Sequence, residues 1–484
     1  MVVRSVGAAQ LSALLPAAAL ASPAYASLAD RLRLLVVDGR LVPDQRLPSE
    51  RELALRLSLS RTTVAAAYAR LREAGYLCAR RGAGNFVALP HRRPATGFLP
   101  GAFRTGEDQI GWNCASGSAT PGLATAYVRA AERLPELLAG TGYLPDGLDA
   151  LRERLAGWYV RRGLDTDPAQ IVVTTGALSA LSVVVATTCT RGDRILMESP
   201  TYTNAIEAAR RAGVRPVGYP LSAHGSSEEG WQPSELARTL DQTGATAAYL
   251  IPDHQNPTGL SMPETLRREL AASLQHREIT AIVDETLVEL RLDGPAYTPV
   301  AALLPDAISL GSASKAFWGG LRVGWIRAPH ALVPRLVETR ASLDLGTAPF
   351  EQLVLAELLR DPEPALAAQR DRLRRQRDHL ADLIADAFPD WQFTRPAGGL
   401  SLWARLPAPL SSRLAEAAEA LGVIITPGHR FFVEGGGERY LRLPFTHPVD
   451  VLDDAVGRLS EAWSIARSGR QTGRRPSRAI DLSA

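Results

Sequence analysis

The sequence predicts a multidomain α/β protein: a small basic module of helices with a two-stranded wing, then a large α/β region, then a smaller α+β unit. Three observations carry this expectation. The chain has 484 residues with 46% hydrophobic and 22% charged, so it exceeds one ordinary domain and has a globular composition. Residues 24–90 hold 11 arginines against 6 acidic residues, a net +5, which leaves −2 for the rest of a chain whose total is +3. A compact excess of positive charge points to a polyanion partner for that segment alone. From Trp112 onward, short apolar runs alternate with helical stretches, the pattern of a sheet covered on both faces.

Some classes are disfavoured at once. No stretch reaches the roughly 18 uninterrupted apolar residues of a membrane helix. Cys78, Cys114 and Cys189 share no short spacing, so neither a disulfide framework nor a zinc cluster is expected. The first 26 residues imitate a secretory signal, with Arg4, an apolar stretch and Ala24-Tyr25-Ala26. Pro16 interrupts that stretch, and cleavage would cut into the next pattern. A lead-in helix packed on the first module is the expectation.

The elements of the basic module follow in order. Leu28, Leu32, Leu35 and Val36 recur at helical spacing and Gly39 ends that helix. Ser49 with Glu52 is a capping-box start for a second helix, whose buried side is Leu53 and Leu57. Ser60 caps a third helix from Arg61 to about Glu73, with Val64, Tyr68 and Leu71 as its apolar stripe. Two short helices joined by a three-residue turn form a helix-turn-helix, whose second helix enters the major groove by its N-terminus. Arg61, Thr62 and Thr63 occupy that end. A-R-R-G-A-G-N-F-V would make the wing, with Arg80 and Arg81 set against phosphates. Pro90 to Gly111, rich in Pro and Gly, reads as a linker.

In the large region the expected strands are Ile171–Thr174, Arg194–Met197, Ala247–Ile251, Ala281–Val283, Ala307–Leu310 and Val323–Ile326. Ligands bind beyond the carboxyl ends of such strands, and chemistry-bearing residues gather there. Lys315, in G-S-A-S-K, is the one lysine of the chain; the other 53 of 54 basic residues are arginine. A guanidinium stays protonated and cannot replace a nucleophilic amine. Asp284 ends A-I-V-D, Asn256 sits in N-P-T-G, Gly176-Ala177 opens a helix whose free N–H groups suit an anion, and Arg322 lies downstream. A reactive amine, a buried acid, an amide and a phosphate cradle are what a pyridoxal phosphate site requires. His254, beside Asn256, reads as a structural histidine. After about Phe350, Gly398-Gly399 and the runs Leu400–Trp403 and Val423–Thr426 suggest the smaller unit. Beyond Arg467 an Arg-, Gly- and Ser-rich tail reads as disordered.

L-P-S-E-R-E-L-A, S-R-T-T-V, A-Y-A-R-L-R-E-A-G-Y-L and R-R-G-A-G-N-F-V, in that order, resemble the winged helix-turn-helix of GntR-type regulators. The resemblance implies DNA contacts by Arg51, Ser60, Arg61, Thr62, Thr63, Arg80 and Arg81. N-P-T-G with S-x-S-K and Arg322 resembles the fold-type I aminotransferases. There Lys315 matches the lysine that joins the cofactor aldehyde and Asp284 the partner of the pyridinium nitrogen. Asn256 matches the residue bonded to the phenolic oxygen. Ser312, Ser314, Arg322 and the Gly176-Ala177 amides match phosphate ligands, and Tyr202 the aromatic on the ring. Tyr143 resembles the tyrosine that reaches the phosphate across a dimer interface, and Arg442 the arginine that grips a substrate carboxylate. Thr286 is a departure, standing two residues after Asp284 where the resemblance implies a tyrosine on the phenolic oxygen.

Together the two resemblances point to the MocR subfamily of bacterial regulators. They imply a homodimer in the cytoplasm, at the nucleoid, that binds a double-stranded operator and senses pyridoxal phosphate or an amino compound reacting with it. The rival expectation is a working aminotransferase with an accessory DNA-binding domain. The expected divisions are a lead-in 1–22, winged domain 23–90, linker 91–111, large domain 112–349, small domain 350–466 and tail 467–484.

Overall fold

The computed structural model describes residues 5–15, 22–37, 41, 45–80, 83–88, 109–221 and 230–468. Gly39, Arg81, most of the Pro90–Gly111 segment and the tail beyond residue 468 lie outside them. Ser49 starts its helix as expected from local chemistry. Its hydroxyl accepts from the Glu52 N–H at 3.3 Å while the Glu52 carboxylate accepts from the Ser49 N–H at 2.8 Å. Both otherwise orphaned donors of the helix start are thereby satisfied. Ser60 caps the next helix by accepting from Thr63 N–H at 3.0 Å. Helices Ala8–Leu14, Ala24–Val37, Glu50–Leu57 and Arg61–Glu73 precede the antiparallel pair β1 (Leu77–Arg80) and β2 (Gly84–Val87). Leu11, Leu28, Leu53, Val64 and Tyr68 are fully buried and share one core, which draws the lead-in helix onto the winged module. The Tyr68 hydroxyl donates to the Pro48 carbonyl at 3.0 Å, tying the segment that enters the helix Glu50–Leu57 to the helix Arg61–Glu73.

Strand β3 (Ile110–Gly111) follows. The large sheet holds β4 (Ile171–Thr174), β5 (Arg194–Ser199), β6 (Arg215–Pro220), β7 (Ala247–Leu250), β8 (Thr280–Asp284), β9 (Ile308–Ser312) and β10 (Gly324–Arg327). Their spatial order is β4-β10-β9-β8-β7-β5-β6. β10 runs antiparallel to both neighbours and the remaining pairs are parallel. Separate apolar clusters cover the two faces, one around Leu155, Tyr159 and Leu353, the other around Val184, Ile206 and Leu336. The smaller unit contains β11 (Ser401–Arg405), β12 (Val423–Ile424), β13 (Thr426–Pro427) and β14 (Tyr440–Pro444). β14 lies between β11 and β13. No helix among the described residues is long and apolar enough to cross a membrane.

The structure differs from the sequence expectations at five places. β6 was not among the expected strands, and its R-P-V-G-Y-P carries two prolines and a glycine; it lies at the sheet edge, where a proline without N–H is tolerated. The single run Val423–Thr426 is two strands, β12 pairing with β3 and β13 with β14. The expected linker ends inside structure, since Ile110–Gly111 is that partner of β12. The helix Pro349–Leu358, expected in the small domain, buries Leu353, Val354 and Leu355 in the large-domain core. Conversely Trp112 and Ala115 pack in the small-domain core beside Leu402 and Leu443.

Candidate cofactor and ligand site

Asp284, the last residue of β8, is buried. Its Oδ1 accepts from the Thr286 N–H at 2.9 Å and the Thr286 hydroxyl at 2.6 Å, and its Oδ2 accepts from the Tyr249 hydroxyl at 2.6 Å. Burial pushes the carboxyl above its ordinary range, and these bonds pull the other way. Thr286, the departure noted in the sequence, faces the acid. Its hydroxyl is committed to Asp284, so it supports the acid and does not take the place of a tyrosine on the phenolic oxygen.

Lys315 lies in the short helix Ala313–Ala316 that follows β9. Its Nζ donates to the Ala115 carbonyl at 2.9 Å. Burial lowers the amine to about 8, helped by the positive charges of Arg442 and Arg322. A half-buried amine that sheds its proton this readily is a nucleophile near neutral pH. Gln369 Nε2 donates to the Lys315 carbonyl at 3.3 Å, so the long helix Glu363–Ala387 steadies the lysine from behind.

The anion end is built from backbone, two serines and one guanidinium. Ser312 caps its helix by accepting from the Ser314 N–H at 3.1 Å, and Arg322 Nη1 lies 3.5 Å from the Ser314 hydroxyl. Gly176, with φ 84°, precedes the helix Ala177–Thr188. A Cβ on Gly176 would stand 2.8 Å from Arg322 Nη2. The glycine thus lets a guanidinium and a helix N-terminus share one cradle, an arrangement suited to phosphate. Gly176→Ala is expected to weaken binding of pyridoxal phosphate at least about tenfold, through backbone strain and displacement of Arg322. Cofactor titration of the folded variant checks this, and unchanged affinity would remove Gly176 from the site.

Arg442, on β14, is fully buried. Its Nη1 donates to Asn256 Oδ1 at 3.2 Å and its Nη2 to the Asn113 carbonyl at 2.5 Å, while its guanidinium lies 4.9 Å from the centre of the Phe431 ring. Tyr202 precedes the helix Thr203–Arg211, and its hydroxyl accepts from Asn204 at 3.1 Å. Burial pushes that phenol up to about 12, so it stays neutral. Glu198, buried on β5, accepts from Trp231, the Ile251 N–H and Gln255. Gln255 also donates to the Pro200 carbonyl. One carboxyl therefore joins the loop of Tyr202 to the loop of Asn256. His254 is buried against Gly398 with its Nδ1 3.0 Å from the Ser261 hydroxyl, and burial lowers it to about 4, which fits a structural role.

The structure bonds Arg442 to Asn256, sets the charges of Arg442, Arg322 and Asp284 near Lys315, and places Ser314 with Arg322 and Gly176. Tyr143 is 67% exposed, and among the described residues its side chain bonds none of the others. Sequence reasoning missed Tyr249, Asn113 and Ala115. A tyrosine inside the buried run A-A-Y-L-I was the only available signal, since the other two act through backbone carbonyls.

On the winged module, Arg51, Ser60, Arg61, Thr62 and Arg80 are exposed and Thr63 is half-buried. The Ser60 hydroxyl lies 2.7 Å from the hydroxyls of both Thr62 and Thr63, so part of this trio serves the helix start itself. The Arg80 guanidinium stacks 4.3 Å over Phe86.

Residues 122–459 match the model of aminotransferase class I and II, and residues 24–87 that of bacterial regulatory proteins of the gntR family. The HTH-type pyridoxine biosynthesis transcriptional regulator PdxR of Corynebacterium glutamicum is 31% identical over 379 residues, covering 77% of this chain and 81% of its own. An uncharacterized HTH-type transcriptional regulator of Bacillus subtilis, YisV, is 26% identical over 456 residues, 88% of this chain and 92% of its own. The crystal structure of the α-aminoadipate aminotransferase LysN of Thermus thermophilus, complexed with N-(5'-phosphopyridoxyl)-L-leucine, superposes with a TM-score of 0.66 at 29% identity. It covers 74% of this chain and 93% of that one.

Proposed function

The chain belongs to the class I and II aminotransferase family and is a GntR/MocR-type transcription regulator, and from that premise we propose that it binds pyridoxal phosphate at Lys315 and adjusts its grip on an operator when an amino compound, or the cofactor itself, occupies the site. The residues suit the group: an anion cradle, a buried acid bonded only to neutral donors among the described residues, and a half-buried amine whose proton is held loosely. When bound, pyridoxal phosphate supplies an aldehyde and an electron-withdrawing ring. Lys315 would hold it covalently, and Asp284 would pair with its ring nitrogen. Asn256 serves the phenolic oxygen and Tyr202 the ring. Ser312, Ser314, Arg322 and the Gly176-Ala177 amides hold the phosphate. In a two-fold dimer Tyr143 would reach the phosphate of a second copy. Arg442 receives a carboxylate.

The path of the chain between its modules carries the reading. β3 lies beside β12, the Trp112 indole donates to the Pro444 carbonyl at 2.6 Å, and the Asn113 and Ala115 carbonyls accept from Arg442 and Lys315. The guanidinium and the amine that a ligand would engage are thus bonded to the backbone that leads back to the DNA-binding module. A ligand competing for those donors changes how firmly that backbone is held. Its leverage equals its differential affinity for the two arrangements, on the order of 1–3 kcal/mol in typical coupled sites.

The test measures binding of the full chain to the DNA upstream of its own gene, with and without pyridoxal phosphate and with a panel of L-amino acids. A several-fold change with either is expected. Arg61→Ala should weaken DNA binding while cofactor uptake stays unchanged; loss of both would undo the division into two modules. A second reading, a working aminotransferase, is favoured by the retention of Lys315, Asp284, Asn256 and Arg442. Sustained keto-acid production from amino acid and acceptor, with DNA binding indifferent to either ligand, would select it.

A further inference from the structure

We propose that Tyr249 is a positioning residue that holds the Asp284 carboxylate in place to receive a proton-bearing ring nitrogen; the inference rests on the cofactor reading above. Tyr249 lies on β7 and Asp284 ends β8, adjacent parallel strands in which Leu250 stands opposite Val283. The phenol reaches across the pair to Asp284 Oδ2 at 2.6 Å. Tyr249 is fully buried and Asp284 is 6% exposed, which leaves little room for bulk water to take over the bond. Among the described residues no arginine, lysine or histidine hydrogen-bonds Asp284. Among the described residues the carboxyl group is therefore held by neutral donors alone.

The two oxygens are not served alike. Oδ1 is held by Thr286 from two residues along the chain, a local turn contact. Oδ2 is held by a side chain 35 residues away on another strand. Fixing both oxygens from different elements sets the plane of the carboxyl group, which a local turn alone does not. A short O–H···O⁻ bond also favours the charged form over the neutral one. That matters because a neutral acid offers its own proton and cannot hold one on a ring nitrogen. Burial raises the Tyr249 phenol well above its ordinary range, so it remains a donor throughout the working pH range.

The probe is 4′-deoxypyridoxine 5′-phosphate, which has the ring nitrogen and the phosphate but no aldehyde, so attachment to Lys315 plays no part. Its affinity for the full-length protein is measured by calorimetry from acid to neutral pH. Tyr249→Phe is expected to weaken it about tenfold, the order of one charge-assisted hydrogen bond. The acid limb of the affinity profile should also move to higher pH, because Asp284 is then protonated more easily. Glu285, Glu198, Tyr202 and Lys315 surround Asp284 and are present in both proteins, so their titration is common to the comparison. In an Asp284→Asn background the same substitution should change affinity less than about twofold, since the bond it removes no longer has a charged acceptor. Equal losses in both backgrounds, or an unmoved acid limb, would overturn the proposal. Should Phe destabilise the sheet, 3-fluorotyrosine placed at 249 strengthens the donor without changing the packing, and the limb must then move to lower pH; an unmoved limb there overturns it too. If the wild type fails to bind the probe, the cofactor reading falls. If it binds and the Tyr249 variants match it, only the role of Tyr249 falls.

Discussion

Lys315→Ala is expected to abolish covalent attachment of pyridoxal phosphate completely. Borohydride reduction should fix the cofactor to the wild type at Lys315 and leave the variant at its bare mass. The chain makes this unusually clean, because Lys315 is its one lysine and the other 53 basic residues are arginine. The only competing primary amine is the N-terminal one. Lys315→Arg should behave as Lys315→Ala does, since a guanidinium keeps the charge but has no nucleophilic nitrogen. The rate of attachment to the wild type should rise about tenfold per pH unit and level off above a pH of about 8. Burial has lowered the amine to about 8, and below it the neutral, attacking form is the minority. A rate still climbing steeply at pH 10 would mean an amine in open solvent. A label on Lys315→Ala anywhere but the N-terminus would sink the assignment.

Much of this was legible in the sequence, and what was legible had a local cause. The capping box at Ser49 and Glu52 is a contact over three residues, so spacing alone reveals it. The strands β4, β7, β8 and β9 are buried along nearly their whole length, and a strand buried on both faces reads as a mostly apolar run. Asp284 and Lys315 stand out in the sequence as an acid that closes an apolar strand and as the one amine of the chain. β6 was hidden by its two prolines and a glycine, which an edge strand accepts. The antiparallel sense of β10 was hidden because an apolar run carries no direction. The segment 113–115 was hidden most deeply. Asn113 meets Arg442 across 329 residues and Ala115 meets Lys315 across 200, in both cases through a main-chain oxygen that every residue possesses. No side-chain pattern can announce such a bond.

Arg442→Met is the substitution that separates an amino-acid sensor from a cofactor sensor. Methionine keeps much of the volume beside Phe431 and removes every donor. An incoming carboxylate then loses a pair of charge-assisted bonds, on the order of 3 kcal/mol, or about a hundredfold in affinity. L-amino acids should therefore bind the cofactor-loaded variant about a hundredfold more weakly than the wild type. A simple alkylamine, with no carboxylate to place, should bind both proteins alike. Cofactor affinity should change by only a few-fold, because Arg442 bonds Asn256 and Asn113 while the phosphate cradle is built around Arg322. Stability should fall by about 1–3 kcal/mol, since the Asn113 carbonyl and Asn256 Oδ1 lose a buried donor. The decisive comparison is DNA binding. If the effector is an amino acid, its influence on operator affinity should vanish in Arg442→Met while the influence of pyridoxal phosphate remains. If the effector is the cofactor alone, both proteins should respond to pyridoxal phosphate equally and neither to amino acids. A variant that answers L-amino acids as the wild type does would show that the carboxylate is held elsewhere, and that the Arg442–Asn113 bond does not carry the signal to the winged module.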